Sequence, residues 1–244
     1  MKRCAHAYAM CRSMFCYIPS PWRVWDEEAR PLMLLFLPVI GLEIGALWWG
    51  LAWLVRHFAL PLPVAALLLC AWPFVSTGAI HLDGFMDVVD AVHSCADAGK
   101  RREILKDPHV GSFAVVGCTL TLLALWSLFS VGRGDIRLLL LIPVVSRCCC
   151  ALAVLLLPPM TTSQYAVQKL PRDRAAVLIA MLAAALAAGF LLCGTAGFAL
   201  LIEAVCCALA LRRGYRALGG MNGDISGYAL TVAELCAAAA YAFL

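Results

Sequence analysis

Residues 60–80, LPLPVAALLLCAWPFVSTGAI, run for twenty-one positions without one charged side chain. An α-helix needs about 20 such residues to cross the ~30 Å hydrocarbon core of a bilayer. Inside that core the backbone must satisfy its own hydrogen bonds, so only helices and closed barrels cross it. Comparable segments recur at roughly 32–55, 113–131, 138–159, 175–193, 195–211 and 226–244. The chain is therefore expected to be all-α: a polytopic membrane bundle of about seven helices. The segments at 175–193 and 195–211 are parted only by Gly194 and its neighbours, which predicts a tight helical hairpin or one bent segment. The last segment carries Glu234 and is rich in alanine; read as peripheral, it leaves six spans. Composition agrees, with 14% charged residues against about 25% in a soluble domain. No linker or repeat divides the chain, so residues 1–244 read as a single integral membrane domain.

The first thirty residues are charged and broken by prolines, without an apolar h-region, so no cleavable signal peptide is expected. Fifteen of the 19 Lys and Arg fall in residues 1–31, 81–112, 160–174 and 212–225. Arg56, Arg133 and Arg137 fall in the alternate loops. The positive-inside rule then puts the N-terminus in the cytoplasm and the C-terminus outside. The soluble parts are small, so any chemistry is expected at the cytoplasmic face. The 13 cysteines lie mostly in apolar runs and show no paired CxxC spacing. They read as small hydrophobic side chains in a reducing compartment, not as a zinc site.

At the end of the 60–80 run stands HLDGFMDVVD, residues 81–90. If the helix continues, Asp87 lies about 40° past one turn from Asp83, and Asp90 about 20° short of two turns. Three carboxylates on one face repel each other unless something positive sits among them. A hard divalent cation takes oxygen ligands and keeps waters and substrate phosphates, so the face suggests a Mg²⁺–diphosphate site. The alternative is a solvated polar helix end capped by an Asp-Gly turn.

KRREILKDPHVGSF, residues 100–113, adds Lys106 and Asp107 to the same loop. Lys100, Arg101, Arg102 and Lys106 suit phosphates; the alternative is that they set topology and meet anionic lipid headgroups. Arg147 sits within a span, where a charge implies function or a buried partner. Glu43, Glu203 and Glu234 are the candidate partners. In GGMNGDISGY, residues 219–228, glycines bracket Asn222 and Asp224 where the last span begins. Glycines let a backbone approach a ligand, and helix N-termini favour anions.

These pieces, taken in order, resemble the cobalamin synthase family, the adenosylcobinamide-GDP ribazoletransferases. FCYIPSP resembles F-x-R-I-P-x-P, and LFLPVIGLEIG resembles F-P-L-V-G-L-x-x-G. STGAIHLDGFMDVVDAV resembles T-G-G-x-H-L-D-G-L-A-D-x-x-D-G, and REILKDPHVGSF resembles L-E-I-M-K-D-S-R-I-G-x-x-G. PVVSRC resembles a pattern ending in Ser-Arg, and GGMNGDISGYALTVAEL resembles G-G-x-T-G-D-x-x-G-A…E-L. The chain departs from these patterns at Tyr17 (usually Arg), Ala79 and Ala91 (usually Gly), Pro108 (usually Ser), His109 (usually Arg) and Asn222 (usually Thr).

The resemblance implies transfer of adenosylcobinamide phosphate from its GDP adduct to α-ribazole or its 5′-phosphate. Adenosylcobalamin, or its phosphate, forms and GMP leaves. It also implies Mg²⁺ and a multi-pass enzyme of the bacterial or archaeal cytoplasmic membrane. On that footing Asp83, Asp87, Asp90 and Asp224 hold the metal. His81 or a free aspartate accepts the proton, and Asp107 is a further ligand or orients Lys106. Lys106, Arg147, Asn222 and Gly223 contact phosphates. Membrane lipids are expected partners, nucleic acid is not, and self-association into a homo-oligomer is left open. Two rival enzyme classes use similar physics: aromatic-acceptor prenyltransferases and CDP-alcohol phosphotransferases. The first begin with Asn-Asp-x-x-Asp; the second carry Asp-Gly-x-x-Ala-Arg, where this chain has Met86–Asp87. A transporter with Arg147 and the three glutamates on its path is a third alternative, but the acids gather at one face instead of along the midplane.

Overall fold

The computed structural model describes residues 2–20, 22–131, 134–161 and 172–244. Among the described residues there are ten α-helices: α1 (Lys2–Phe15), α2 (Met33–His57), α3 (Leu62–Val75), α4 (Ile80–His93), α5 (Ala98–Ile104), α6 (Ser112–Val131), α7 (Leu138–Leu156), α8 (Ala175–Cys193), α9 (Phe198–Leu218) and α10 (Gly223–Phe243). Among the described residues there is no strand, only one isolated bridge between Pro159 and Met221. The all-α expectation therefore holds. All thirteen cysteines are free thiols. Most of the loop at 160–174, including Lys169, lies outside the described residues, as does Arg133.

Five segments are long and apolar enough to cross a membrane: Arg30–His57, Ser112–Val131, Leu138–Leu156, Ala175–Leu218 and Gly223–Phe243. Counting α3 and α4 as one broken span makes six. Seven were expected, and the difference sits in two places. The first is Ala175–Leu218, counted above as one segment. It breaks at Gly194–Gly197, where Gly197 closes so tightly on Gly189 and Phe190 that a Cβ on it would meet the Phe190 nitrogen at 2.8 Å. Its 44 residues would measure about 66 Å if straight, twice a hydrocarbon core.

The second is the run at 60–80. α3 has only 14 residues, about 21 Å, and the chain turns by 83° before α4. HLDGFMDVVD thus forms a helix of its own and does not run on in line from α3. The cause lies at residues 76–79. Gly78 and Ala79 both take left-handed conformations, each with φ of 61°. The Thr77 hydroxyl closes the α3 end by donating to the Pro73 carbonyl at 2.8 Å. Ala79 carries a Cβ where the chain wants none, a strain of roughly 1–2 kcal/mol. Ala79→Gly is expected to stabilise the protein by about 1 kcal/mol, read as a higher thermal midpoint in detergent. An unchanged or lower midpoint would show that the turn is not strained.

α7 is the axis of the bundle, packed against α2, α8, α9 and α10 and buried along most of its length. The GLEIG stretch explains how α2 approaches it. A Cβ on Gly41 would collide with the Pro143 carbonyl, and one on Gly45 with the Leu140 carbonyl. Small residues four apart let two membrane helices touch backbone to backbone. This LPVIGLEIG piece is therefore a packing device. Glu43, between the two glycines, turns to α1, where it binds Arg12 at 3.0 Å and accepts from the Tyr8 hydroxyl.

Candidate active site

Three helices meet around the aspartates: α4, the N-terminal end of α6 and the N-terminal end of α10. α4 and α10 interlock through glycines. A Cβ on Gly84 would meet the Asp224 Cα at 2.9 Å, and one on Gly227 would meet the His81 carbonyl at 2.8 Å. Beside this contact the Phe85 and Tyr228 rings stack at 5.9 Å. This approach brings Asp224, in the first turn of α10, to the Asp83–Asp87 face. The charges of Asp83, Asp224 and Asp90 all bear on Asp87, which is half-buried. Asp83 is exposed.

The four aspartates are not equivalent. Asp90 accepts from the backbone of Gly111 at 2.6 Å and of Ala114 at 2.9 Å. It thereby satisfies donors that the start of α6 would otherwise leave unpaired. Asp224 accepts from the Asn222 amide at 2.6 Å, while the Asn222 side-chain oxygen caps α10 by accepting from Ile225 N–H at 3.0 Å. Asn222 thus aims Asp224, and Gly223 beside it faces open space. Among the described hydrogen bonds and ion pairs, Asp83 and Asp87 have no side-chain partner.

The other expected site residues fall elsewhere. His81 leads the motif in sequence, but two residues are 200° of helix, so it points away from the Asp83 face. Its ring stacks on Phe15 at 6.2 Å, and its Nε2 is buried without a partner. Asp107 is bound up in its own turn, accepting from the His109 backbone at 2.9 Å and ring at 2.6 Å. Those two bonds, with the Lys100 charge behind them, hold its carboxyl below the usual range. Lys106 is exposed in the same turn. Arg147 does not reach the surface at all: it is 2% exposed and donates to Glu234 at 2.9 Å. That placement answers the expectation of a phosphate-contacting arginine with a buried ion pair instead.

The arrangement can be tested for a hard divalent cation. Among the described residues, no three His, Cys, Asp or Glu side chains already converge as a finished metal-ligand set. Mg²⁺ does not require one; it binds one or two carboxylates and fills its octahedron with water and substrate phosphate. Asp83 and Asp87, both free, with Asp224 opposite, supply oxygen donors and nothing softer. The residues fit such an ion.

A neighbouring feature was not singled out from the sequence as a site. The Tyr17 backbone donates to the Ser76 carbonyl at 2.7 Å, and its ring covers Gly78. This pins Tyr17 and its neighbours in the FCYIPS stretch beside the start of α4. Tyr17, Pro19, Trp22, Arg23 and Trp25 line a cleft of about 670 Å³ there. The exposed tryptophans Trp22 and Trp25 were the available signal, since a large aromatic side chain in a polar loop has no core to fill.

The order of motifs, the aspartate face and the capped Asp224 can be set beside known proteins. The family model described as Cobalamin-5-phosphate synthase matches residues 7–242. The chain belongs to the cobalamin-5-phosphate synthase family. A relative from Clostridium perfringens (strain 13 / Type A), named adenosylcobinamide-GDP ribazoletransferase, is 34% identical over 243 residues, 96% of each chain. One of the same name from Stutzerimonas stutzeri (strain A1501) is 38% identical over 224 residues, 89% of this chain and 86% of its own. One from Pseudomonas putida (strain GB-1) is 37% identical over 210 residues, 83% of each. No solved structure matches the chain. In this member of the cobalamin-5-phosphate synthase family, four of the six motif pieces gather at the site, while LFLPVIGLEIG and PVVSRC lie in the helix packing around α7. The stretch around Tyr17, the Lys-Asp turn and the Asn-Gly-Asp cap all border the aspartate helix α4 or lie one helix away.

Proposed function

We infer that this chain is a transferase that joins adenosylcobinamide-GDP to α-ribazole, or its 5′-phosphate, and releases GMP. The observation that carries the reading is a match to one family over residues 7–242, with the acidic face of α4 and Asp224 brought together at its centre. A ribose hydroxyl oxygen forms a bond to the phosphorus attached to cobinamide. The bond from that phosphorus to the bridging oxygen breaks, GMP departs with that oxygen, and the hydroxyl proton goes to a base. Such transfers depend on positioning and on neutralising charge.

Asp83, with Asp224 opposite, would hold Mg²⁺, which supplies charge neutralisation on the diphosphate. Asn222 fixes the direction of Asp224, and Asp90 fixes the position of α6 against α4. Asp87, set among three other carboxylates, is the proton acceptor; an aspartate on the acidic face suits that role better than His81 on the opposite one. Lys106 and the exposed Gly223 backbone face the phosphates. The aromatic cleft beside Tyr17 offers a wall for a planar base or ring. The chain crosses the cytoplasmic membrane seven times with its N-terminus and this site inside, a reading supported by the fifteen bases on one side.

The test is direct. Purified protein given both substrates and Mg²⁺ is expected to yield GMP and cobamide in equal amounts. A chelator should stop both, and added Mg²⁺ should restore them. A folded preparation that releases no GMP overturns the function, and turnover indifferent to the chelator overturns the metal.

A further inference from the structure

Beyond the aspartates, a second charged cluster has no role so far. Arg101 on α5 and Arg212, Arg213 and Arg216 on α9 line a cleft of about 590 Å³, closed on one side by Val92 of α4. On α9 the three arginines lie within about 100° of one another, so they share a face. Arg101 comes from a helix more than a hundred residues earlier and is brought to the same cleft.

Four guanidiniums in one cleft repel each other unless an anion joins them. Among the described residues none of the four has a carboxylate within ion-pair distance. The Arg101 Nε is buried with no hydrogen-bond partner, and its Nη1 makes only a long contact of 3.5 Å with the Ala217 carbonyl. A buried, unpartnered guanidinium N–H is costly, and it points to a ligand oxygen as its complement. Guanidinium forks match phosphate geometry, often with two parallel bonds.

The cleft also joins the acidic face. Tyr228 follows Asp224 by about one turn on the same face of α10. Arg213 lies against the Tyr228 hydroxyl, and the Tyr228 ring stacks on Phe85 of the aspartate helix. A ligand bridging the two clusters has a metal-bound diphosphate at one end and a phosphate monoester at the other. The family description, cobalamin-5-phosphate synthase, names a product with such a monoester.

We propose that the Arg101–Arg212–Arg213–Arg216 cleft binds the 5′-phosphate of the ribazole acceptor and so sets the preference for phosphorylated over unphosphorylated acceptor. This rests on the ribazoletransferase reading above. The same cleft chemistry suits an anionic lipid headgroup at the end of a span, and the experiment separates the two sources.

Arg212→Gln and Arg216→Gln, alone and together, are assayed with α-ribazole 5′-phosphate and with α-ribazole. The quantity read is the ratio of the two kcat/KM values. The double variant is expected to lower that ratio at least tenfold, through KM for the phosphorylated acceptor. The assay is repeated in phosphatidylcholine vesicles with and without phosphatidylglycerol, and the drop must persist without the anionic lipid. An unchanged ratio, or a drop seen only with anionic lipid, overturns the proposal.

A second measurement needs no variant. Phenylglyoxal modification of the wild-type arginines, mapped by mass spectrometry, should be slowed at Arg212 and Arg216 by α-ribazole 5′-phosphate but not by α-ribazole. Equal rates with both would also overturn it. A wild-type protein that turns over neither acceptor would instead remove the ribazoletransferase reading itself.

Discussion

Asp83→Asn and Asp87→Asn are each expected to lower turnover by about 10²–10⁴-fold while leaving the protein as stable as before, or more so. The two halves of this expectation have one cause. Asp83 and Asp87 make no hydrogen bond or ion pair among the described residues, and each sits among like charges. Removing one negative charge relieves repulsion in the folded protein, so nothing that holds the fold is lost. What is lost is an oxygen donor to the metal or, at Asp87, the acceptor of the attacking proton.

Asp90→Asn provides the contrast. Its carboxylate bonds two backbone N–H groups at the start of α6, and a negative charge there is worth about 0.3–1 kcal/mol. Asp90→Asn should therefore appear mainly as a stability loss of about that size, with a smaller effect on turnover. The measurements are GMP release and thermal midpoint in one detergent. Full activity in both Asp83→Asn and Asp87→Asn would end the assignment of α4 as the metal face.

The acidic face was legible because helical spacing is arithmetic. Asp83, Asp87 and Asp90 fall on one side of any α-helix that contains them, whatever that helix packs against. The same arithmetic already turned His81 away, a fact hidden by its place at the head of the motif. The break before α4 was not legible. It depends on Ala79 adopting a left-handed φ of 61°, and alanine carries no sign of that preference, whereas glycine would have.

Partner choice was equally out of reach. Arg147 had three candidate glutamates at plausible depths, and only the packing of α7 against α2, α9 and α10 decides among them. Glu43 points to Arg12 on α1 because Gly41 and Gly45, flanking it on the opposite side, face α7. The gathering of Arg101 with Arg212, Arg213 and Arg216 has the same character. In the sequence they are two separate basic loops, each fully explained by membrane topology, and only the contact of α5 with α9 makes a cleft of them.

The buried ion pair carries the second large effect, and here the expected change is in stability. Glu234 is 6% exposed, Arg147 2%, and both bond the Ser146 hydroxyl between them. Removing one member of such a pair leaves the other charge buried and uncompensated, at a cost of about 3–5 kcal/mol. Glu234→Ala should therefore lower the thermal midpoint sharply. Replacing both members with apolar residues of similar size, Arg147→Met with Glu234→Leu, should recover most of that loss, because the desolvation of both charges disappears with them.

Glu203 makes the comparison sharper. It is fully buried, and neither of its carboxyl oxygens has a partner. An unpartnered buried carboxyl costs stability, so Glu203→Leu is expected to raise the midpoint in the wild-type background. In the Glu234→Ala background the sign should reverse, since Glu203 is then the remaining carboxyl close enough to act on Arg147. If Glu203→Leu shifts the midpoint equally in both backgrounds, the two glutamates do not share Arg147, and Glu234 alone pairs with it.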